Sequence, residues 1–254
     1  MSVAGSFYPA GPAALRAEVV RLLAAADLVS QGPRGRPAAE APPPKAIIAP
    51  HAGYVYSGAV AASAFRRLPK AKRVVLLGPS HFVALRGVAL PGSDVYSTPL
   101  GEVPVESPPG LRVNAAAHAR EHSLEVEVPF LQCALPGFTL VPLVVGDASP
   151  AEVADVLDAL WGGAETAIVI SSDLSHYLPY EAARRADAAA AKKILALGRL
   201  DSDDACGAAP VNGLLAAARR RGLRAGLLDL RNSGDTAGDK QRVVGYGAFG
   251  FFES

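Results

Sequence analysis

Cysteine, methionine and tryptophan are scarce in this chain: two, one and one among 254 residues. The two cysteines, Cys133 and Cys206, lie far apart and form no Cys-x-x-Cys pair. Neither a disulfide framework nor a structural zinc site is expected, and a reducing, cytoplasmic location fits. Charge of one sign is also lacking. The formal net charge is +1, which gives no electrostatic case for nucleic acid. The single basic run, Arg219-Arg220-Arg221, is explained by a solvated helix end. No stretch of about 18 uninterrupted apolar residues occurs, so no membrane span is expected. The first residues lack the basic and apolar regions of a signal peptide. A Walker A sequence is missing as well. The literal G-x-G-x-x-G at 245–250 is followed by only four residues, leaving no room for the helix that a dinucleotide site requires. No nucleotide cofactor is therefore expected.

Half the residues are apolar, much of that alanine, and the length suits one large α/β domain or two small ones. Helical spacing covers 12–28, where Leu15, Val19, Leu22, Leu23 and Ala26 share a face. Residues 30–44 hold five prolines and two glycines and read as an exposed loop, too near the N-terminus to be a domain linker. Short β-branched runs at 46–50, 74–78, 87–90, 139–145, 167–172, 226–230 and 242–252 read as strands. Helices are expected at 58–68, 150–161, 179–197 and 211–221. Residues 121–135 are ambiguous: Leu124, Val126, Val128 and Phe130 alternate like a strand, while Ser123 with nearby acids looks like a helix start. Strand and helix alternate without repeats. A single α/β domain over 1–254, with a mostly parallel or mixed central sheet covered by helices on both faces, follows.

Three of the five histidines follow a strand: His51 after K-A-I-I-A-P, His81 after V-V-L-L-G-P-S, and His176 after A-I-V-I-S-S-D-L-S. Ligands of open α/β sheets bind just beyond the carboxyl ends of strands. Any one such histidine is explained by a backbone hydrogen bond; three in the same relative position point to one polar, metal-capable cleft. Imidazole is the commonest metal ligand, and two histidines with a carboxylate suit non-haem Fe(II). His51 and His81 are the best ligand pair, with ring nitrogens expected ~3–4 Å apart if they share an ion. His176 and Asp173 are three residues apart and can face the cleft together. Asp173, Glu125 and Asp235 are the candidate carboxylates. His122, flanked by Glu121, reads as a proton-transfer group or a partner behind the ligands. His118, after three alanines, reads as a surface residue.

Other motifs stay open or fail. Cys206 either places a thiol in the site or is a small buried cysteine. The Gly-rich stretch 234–240 either holds an anion or is an ordinary turn. Gly78-Pro-Ser-His-Phe82 lacks the second glycine of a nucleophile elbow. Ser171, Ser172, Asp173 and His176 contain hydrolase residue types, but sequence neighbours seldom form a triad.

Six segments together resemble the MEMO family, whose bacterial and archaeal members are called MEMO1 family or AmmeMemoRadiSam system protein B. They are V-A-G-S-F-Y-P at 3–9, A-P-H-A-G-Y at 49–54, G-P-S-H at 78–81, E-H-S-L-E at 121–125, S-S-D-L-S-H at 171–176, and N-S-G-D at 232–235 through G-Y-G at 245–247. The resemblance implies a fold like the class III extradiol ring-cleaving dioxygenases with a single non-haem metal, iron or copper. Its metal histidines map onto His51 and His81, and its further cleft residues onto Asp173 and His176, with His122 and Glu125 nearby. Tyr54, Ser80, Glu125, Cys206 and Asp235 are assigned to substrate binding. Animal members add a ligand cysteine, and counting back from Tyr246 puts that position at Thr236, so this chain is expected to lack the thiolate. Association with a radical SAM protein and an AMMECR1-like protein is a further implication.

The expected function is a metal-binding, dioxygenase-like redox protein, with His176, Asp173 and His122 as catalytic residues and a small molecule or peptide in the cleft. A binding module for a peptide or small anionic ligand is the alternative, and a metal-dependent hydrolase the third.

Overall fold

The computed structural model describes residues 1–29 and 42–253, so most of the predicted proline-rich loop at 30–44 lies outside the described residues. The first part of the chain runs α1 (Pro12–Val29), β1 (Ala46–Ala49), α2 (Tyr54–Phe65), β2 (Arg73–Pro79), β3 (Val88–Leu90), β4 (Val95–Thr98), β5 (Gly101–Pro104) and β6 (Arg112–Val113). The middle adds α3 (Ala115–Ala119), α4 (His122–Glu125), α5 (Val128–Ala134), β7 (Thr139–Val145), α6 (Pro150–Leu160) and β8 (Thr166–Ser171). The chain then continues through β9 (His176–Leu178), α7 (Tyr180–Leu195), α8 (Ala208–Arg220), β10 (Arg224–Asn232), α9 (Ser233–Thr236) and β11 (Val243–Phe252).

Among the described residues nine strands build one mixed sheet, in the order β10-β11-β1-β8-β2-β7-β3-β6, with β9 paired to β11. Strands β1, β8, β2 and β7 are parallel. Antiparallel β11 and β3 flank them. The expectation of a mixed sheet in an α/β fold holds. The continuous apolar runs of the central strands follow from burial on both faces. Ile48, Leu77 and Ile170 pack with Leu157 of α6 and Leu214 of α8. Ile47, Leu76 and Val169 point the other way, toward Val19 of α1, Phe65 of α2 and Phe130 of α5. Each such side chain contributes about 1.5–3 kcal/mol by leaving water, so these two layers carry the fold.

Two expectations change here. The ambiguous 121–135 stretch is helical, as α4 and α5. Its apolar residues are buried all round, so their spacing carried no helical stripe. Helix α2 begins at Tyr54, ahead of the helix expected from residue 58, with Gly53 at its N-cap. The parallel strands end side by side, and His51, His81 and Asp173 follow the ends of β1, β2 and β8.

Candidate metal centre

His51 and His81 are each held by the backbone amide and by one ring nitrogen, Nδ1. The His51 amide donates to Asp173 Oδ1 at 2.8 Å, and His51 Nδ1 lies 2.7 Å from Ser171 Oγ. The His81 amide donates to Glu121 Oε2 at 2.6 Å, and His81 Nδ1 lies 2.8 Å from Glu121 Oε1. That same oxygen accepts from the Ser123 amide at 2.9 Å, capping α4, and lies 3.5 Å from His122 Nδ1. Glu121 thus fixes the His81 ring and one helix end with a single buried carboxylate and lies beside the His122 ring. Ring centroids are 5.3 Å apart for His51–His81, 5.4 Å for His51–His122 and 4.7 Å for His81–His122.

One ligand atom from each of His51, His81 and His122 lies within 4.8 Å of the others. A tetrahedral ion with ~2.1 Å bonds sets its ligand atoms ~3.4 Å apart, a separation that this limit admits, so the three can share an ion. The chemistry of the donor set fits a metal. With Nδ1 of His51 and His81 engaged behind the site, their Nε2 atoms are left for an ion, the arrangement that outer partners impose on ligating imidazoles. Burial, reinforced by the neighbouring rings, pushes the His51 imidazole well below its usual range. Burial, then the His81 ring, lowers His122 against the opposing pull of Glu121 and Glu125. Neutral imidazoles with free lone pairs are what a cation needs.

The cleft, about 820 Å³, is lined by these three histidines with Asp173, His176 and Cys206. Burial raises the Asp173 carboxyl to about 7, against the hydrogen bonds it accepts from the His51 and Ala52 amides. Phe7 also lines the cleft, 5.0 Å from the His122 ring, and Tyr177 lies at its mouth. Tyr177 is 62% exposed, has a left-handed φ of 58° and carries the Arg242 guanidinium over its ring. Phe82, 53% exposed, carries Arg120 in the same way and lies 5.8 Å from the His122 ring.

The structure redistributes the sequence assignments. His122 belongs with His51 and His81 rather than with His176. Asp173 secures His51 through its amide and not His176, which lies exposed in the cleft. Cys206 is in the site: its Sγ is 3.4 Å from His51 Nε2 and 3.7 Å from the Asp173 carbonyl. Of the two readings left open for Cys206, a thiol in the site is the one the structure bears out. Thr236 closes the one-turn α9, with its hydroxyl on the Ser233 carbonyl at 3.3 Å, and does not line the cleft. Asp235 caps α9 from the Asn232 amide side and bonds the Tyr180 hydroxyl, so its charge is used outside the cleft.

Glu125 is not a cleft group either. Its carboxylate accepts from the Ser2 amide at 2.6 Å, the Ser2 hydroxyl at 3.0 Å, the Val3 amide at 3.1 Å and the Tyr8 hydroxyl at 2.7 Å. It ties down the N-terminal arm that carries Phe7. Tyr54 is buried with its hydroxyl on the Val126 carbonyl at 2.7 Å. Ser80 donates to the Val83 carbonyl at 2.7 Å, shaping the turn that carries His81. His118 is half-buried against the Ala89 carbonyl at 2.8 Å, not a plain surface residue. Sequence reasoning missed the roles of Glu121 and Ser171. The only local signal was an acid just before the first turn of α4.

A family model described as "Memo-like protein" matches residues 1–249. The chain is 36% identical over 271 aligned positions to a MEMO1 family protein of Methanococcoides burtonii, covering 97% of each. It is 35% identical to one of Aquifex aeolicus and 33% to one of Sulfolobus acidocaldarius, with 96% of each chain covered in both cases. No helix among the described residues is long and apolar enough to cross a membrane. A family model matched over residues 1–249, together with relatives 33–36% identical over nearly the whole length, places this chain in the MEMO family.

Proposed function

We propose that this MEMO protein is a dioxygenase-like redox protein that uses one iron or copper ion. His51, His81 and His122 would hold the ion, and Cys206 would add a sulfur donor. The observation that carries the reading is the convergence of three histidine donors within 4.8 Å, with Ser171 and Glu121 anchoring rings from behind. Imidazole with thiolate favours copper, zinc or iron over the harder magnesium or calcium. When bound, such an ion supplies redox chemistry or polarises a substrate oxygen.

The chain's own residues supply the rest. Burial comes first in holding His176 below the usual imidazole range, the Leu174 backbone bond opposes it, and the neighbouring His81 ring adds to it; the ring is exposed to the cleft and suited to accept a proton. Phe7, docked on His122 by the arm, shields the cluster from water on one side. Metal analysis of untagged protein purified without oxygen tests the reading. About one iron or copper per chain is expected, with loss in His51→Ala and His81→Ala. A wild-type protein that stays metal-free when offered Fe(II) and Cu(I) would overturn it.

A second reading is favoured by Tyr177, which lines the cleft, and Phe82, beside the His122 ring, both exposed under arginines. In that reading the cleft is a binding module for a small molecule or peptide and performs no chemistry. Ligand binding that survives His51→Ala and His81→Ala unchanged would favour it.

A further inference from the structure

Ser171 Oγ, at the end of β8, has three polar neighbours: the Ser123 carbonyl at 2.6 Å, His51 Nδ1 at 2.7 Å and Glu127 Oε1 at 2.8 Å. A hydroxyl has one proton to give and two lone pairs to receive with. The Ser123 carbonyl can only accept, so it takes that proton. His51 Nδ1 and Glu127 must then each donate to Ser171. Glu127 is 0% exposed, and among the described residues its second oxygen, Oε2, has no hydrogen-bond partner. A carboxylate there would be a buried charge with one serine for company, a costly state. A neutral acid leaves only a carbonyl-like oxygen unpaired.

We propose that Glu127 is a positioning residue, a neutral acid that donates to Ser171, fixes its hydroxyl, and so holds His51 with hydrogen on Nδ1 and the Nε2 lone pair facing the cleft. Burial also drives the Glu127 carboxyl strongly upward; a bond donated by Ser171 would oppose this, but that proton goes to the Ser123 carbonyl, and the Asp173 charge adds to the rise. The two sides of the cluster then differ in kind. A carboxylate, Glu121, stands behind His81 and His122, while an uncharged acid stands behind His51. This assignment rests on the metal-site reading only where metal affinity is concerned; the proton count applies to the metal-free protein.

Three proteins test it: wild type, Glu127→Gln and Glu127→Met. Infrared difference spectra of metal-free wild type against Glu127→Gln should show a protonated-carboxyl band near neutral pH that the variant lacks. Nitrogen-15 spectra should find His51 protonated on Nδ1 in both, because the glutamine amide also donates to Ser171. Glu127→Met has no donor, so Ser171 is freed to turn. It should show mixed His51 tautomers and bind Co(II), the probe ion, ~10–100-fold more weakly, whereas Glu127→Gln stays within about threefold. No carboxyl band in wild type, or His51 protonated on Nε2, would overturn the proposal. So would a Met variant with unchanged tautomer and affinity. If Glu127→Met fails to fold, the infrared band and the Gln variant still decide. Wild type that binds no Co(II) yet shows the band and the Nδ1 proton sinks the metal reading alone.

Discussion

Glu121 grips His81 at both ends, one carboxylate oxygen 2.6 Å from its amide and the other 2.8 Å from its Nδ1. Burial works against the charge, but the hydrogen bonds from the His81 ring, the His81 amide and the Ser123 amide outweigh it and bring the carboxyl down to about 2. A carboxyl depressed on folding stabilises above its ordinary value of 4.5 and loses that stabilisation as pH falls toward 2. The effect is on the order of 3 kcal/mol. Denaturant titration of metal-free wild type and Glu121→Gln across this range should show a steeper loss in wild type. Parallel curves would mean that Glu121 is not ionised in the fold. At neutral pH the variant should also bind metal ~10–100-fold more weakly.

Cys206, not the loop before β11, supplies the thiol of the cleft. Burial first, then the Asp173 charge, pushes this thiol up to about 12, so the metal-free protein should alkylate it slowly at neutral pH. A bound soft cation competes with the proton for sulfur. Cys206→Ser should therefore weaken Cu(I) by more than about tenfold, ~1.4 kcal/mol, and Fe(II) by less. Thr236→Cys should change neither affinity. A gain of Cu(I) affinity in Thr236→Cys would restore the position that counting along the chain selects.

The N-terminal arm should be a dependent of Glu125. Burial disfavours this carboxylate, yet the Tyr8 hydroxyl and the Ser2 and Val3 donors hold it below its ordinary range. The arm's anchorage is therefore full above about pH 4.5 and weakens as pH falls further. The Tyr54 amide donates to the Phe7 carbonyl at 2.8 Å and reports on docking. In Glu125→Ala its hydrogen exchange should accelerate at neutral pH, with a stability loss of about 2–4 kcal/mol. Unchanged exchange at Tyr54 would show that the arm docks through its apolar contacts alone.

The parts of the fold legible in the sequence are those where one force acts alone. Strand β7 ends where it was expected because Thr139–Val145 is an apolar run between a turn and a glycine. His51 and His81 were legible because each follows a buried strand. His122 was not, since its place beside them depends on a four-residue helix whose cap, Glu121, is set by contact with His81. Cys206 meets His51 across 155 residues of sequence, and no local spacing encodes that. Counting from Tyr246 failed because the intervening chain turns through α9, which spends the Thr236 hydroxyl on Ser233.

The turn that carries His176 depends on an absent side chain. A Cβ at Gly245 would lie 2.2 Å from both carboxylate oxygens of Asp187. Asp187 is buried, and its Oδ1 accepts from the Ser175 amide at 3.0 Å. Gly245 itself donates to the Ser175 carbonyl and accepts from the Leu174 amide, both at 2.8 Å. Gly245→Ala should expel Asp187, strand the Ser175 amide and displace His176, costing about 2–4 kcal/mol. Asp187→Ala in the same chain removes the clash, so the double variant should be less destabilised than the sum of the singles by more than about 1 kcal/mol. Strict additivity would mean that the alanine is accommodated elsewhere. Because His51, His81 and His122 stand on other elements, metal affinity should persist in Gly245→Ala, separating the role of His176 from that of the three-histidine cluster.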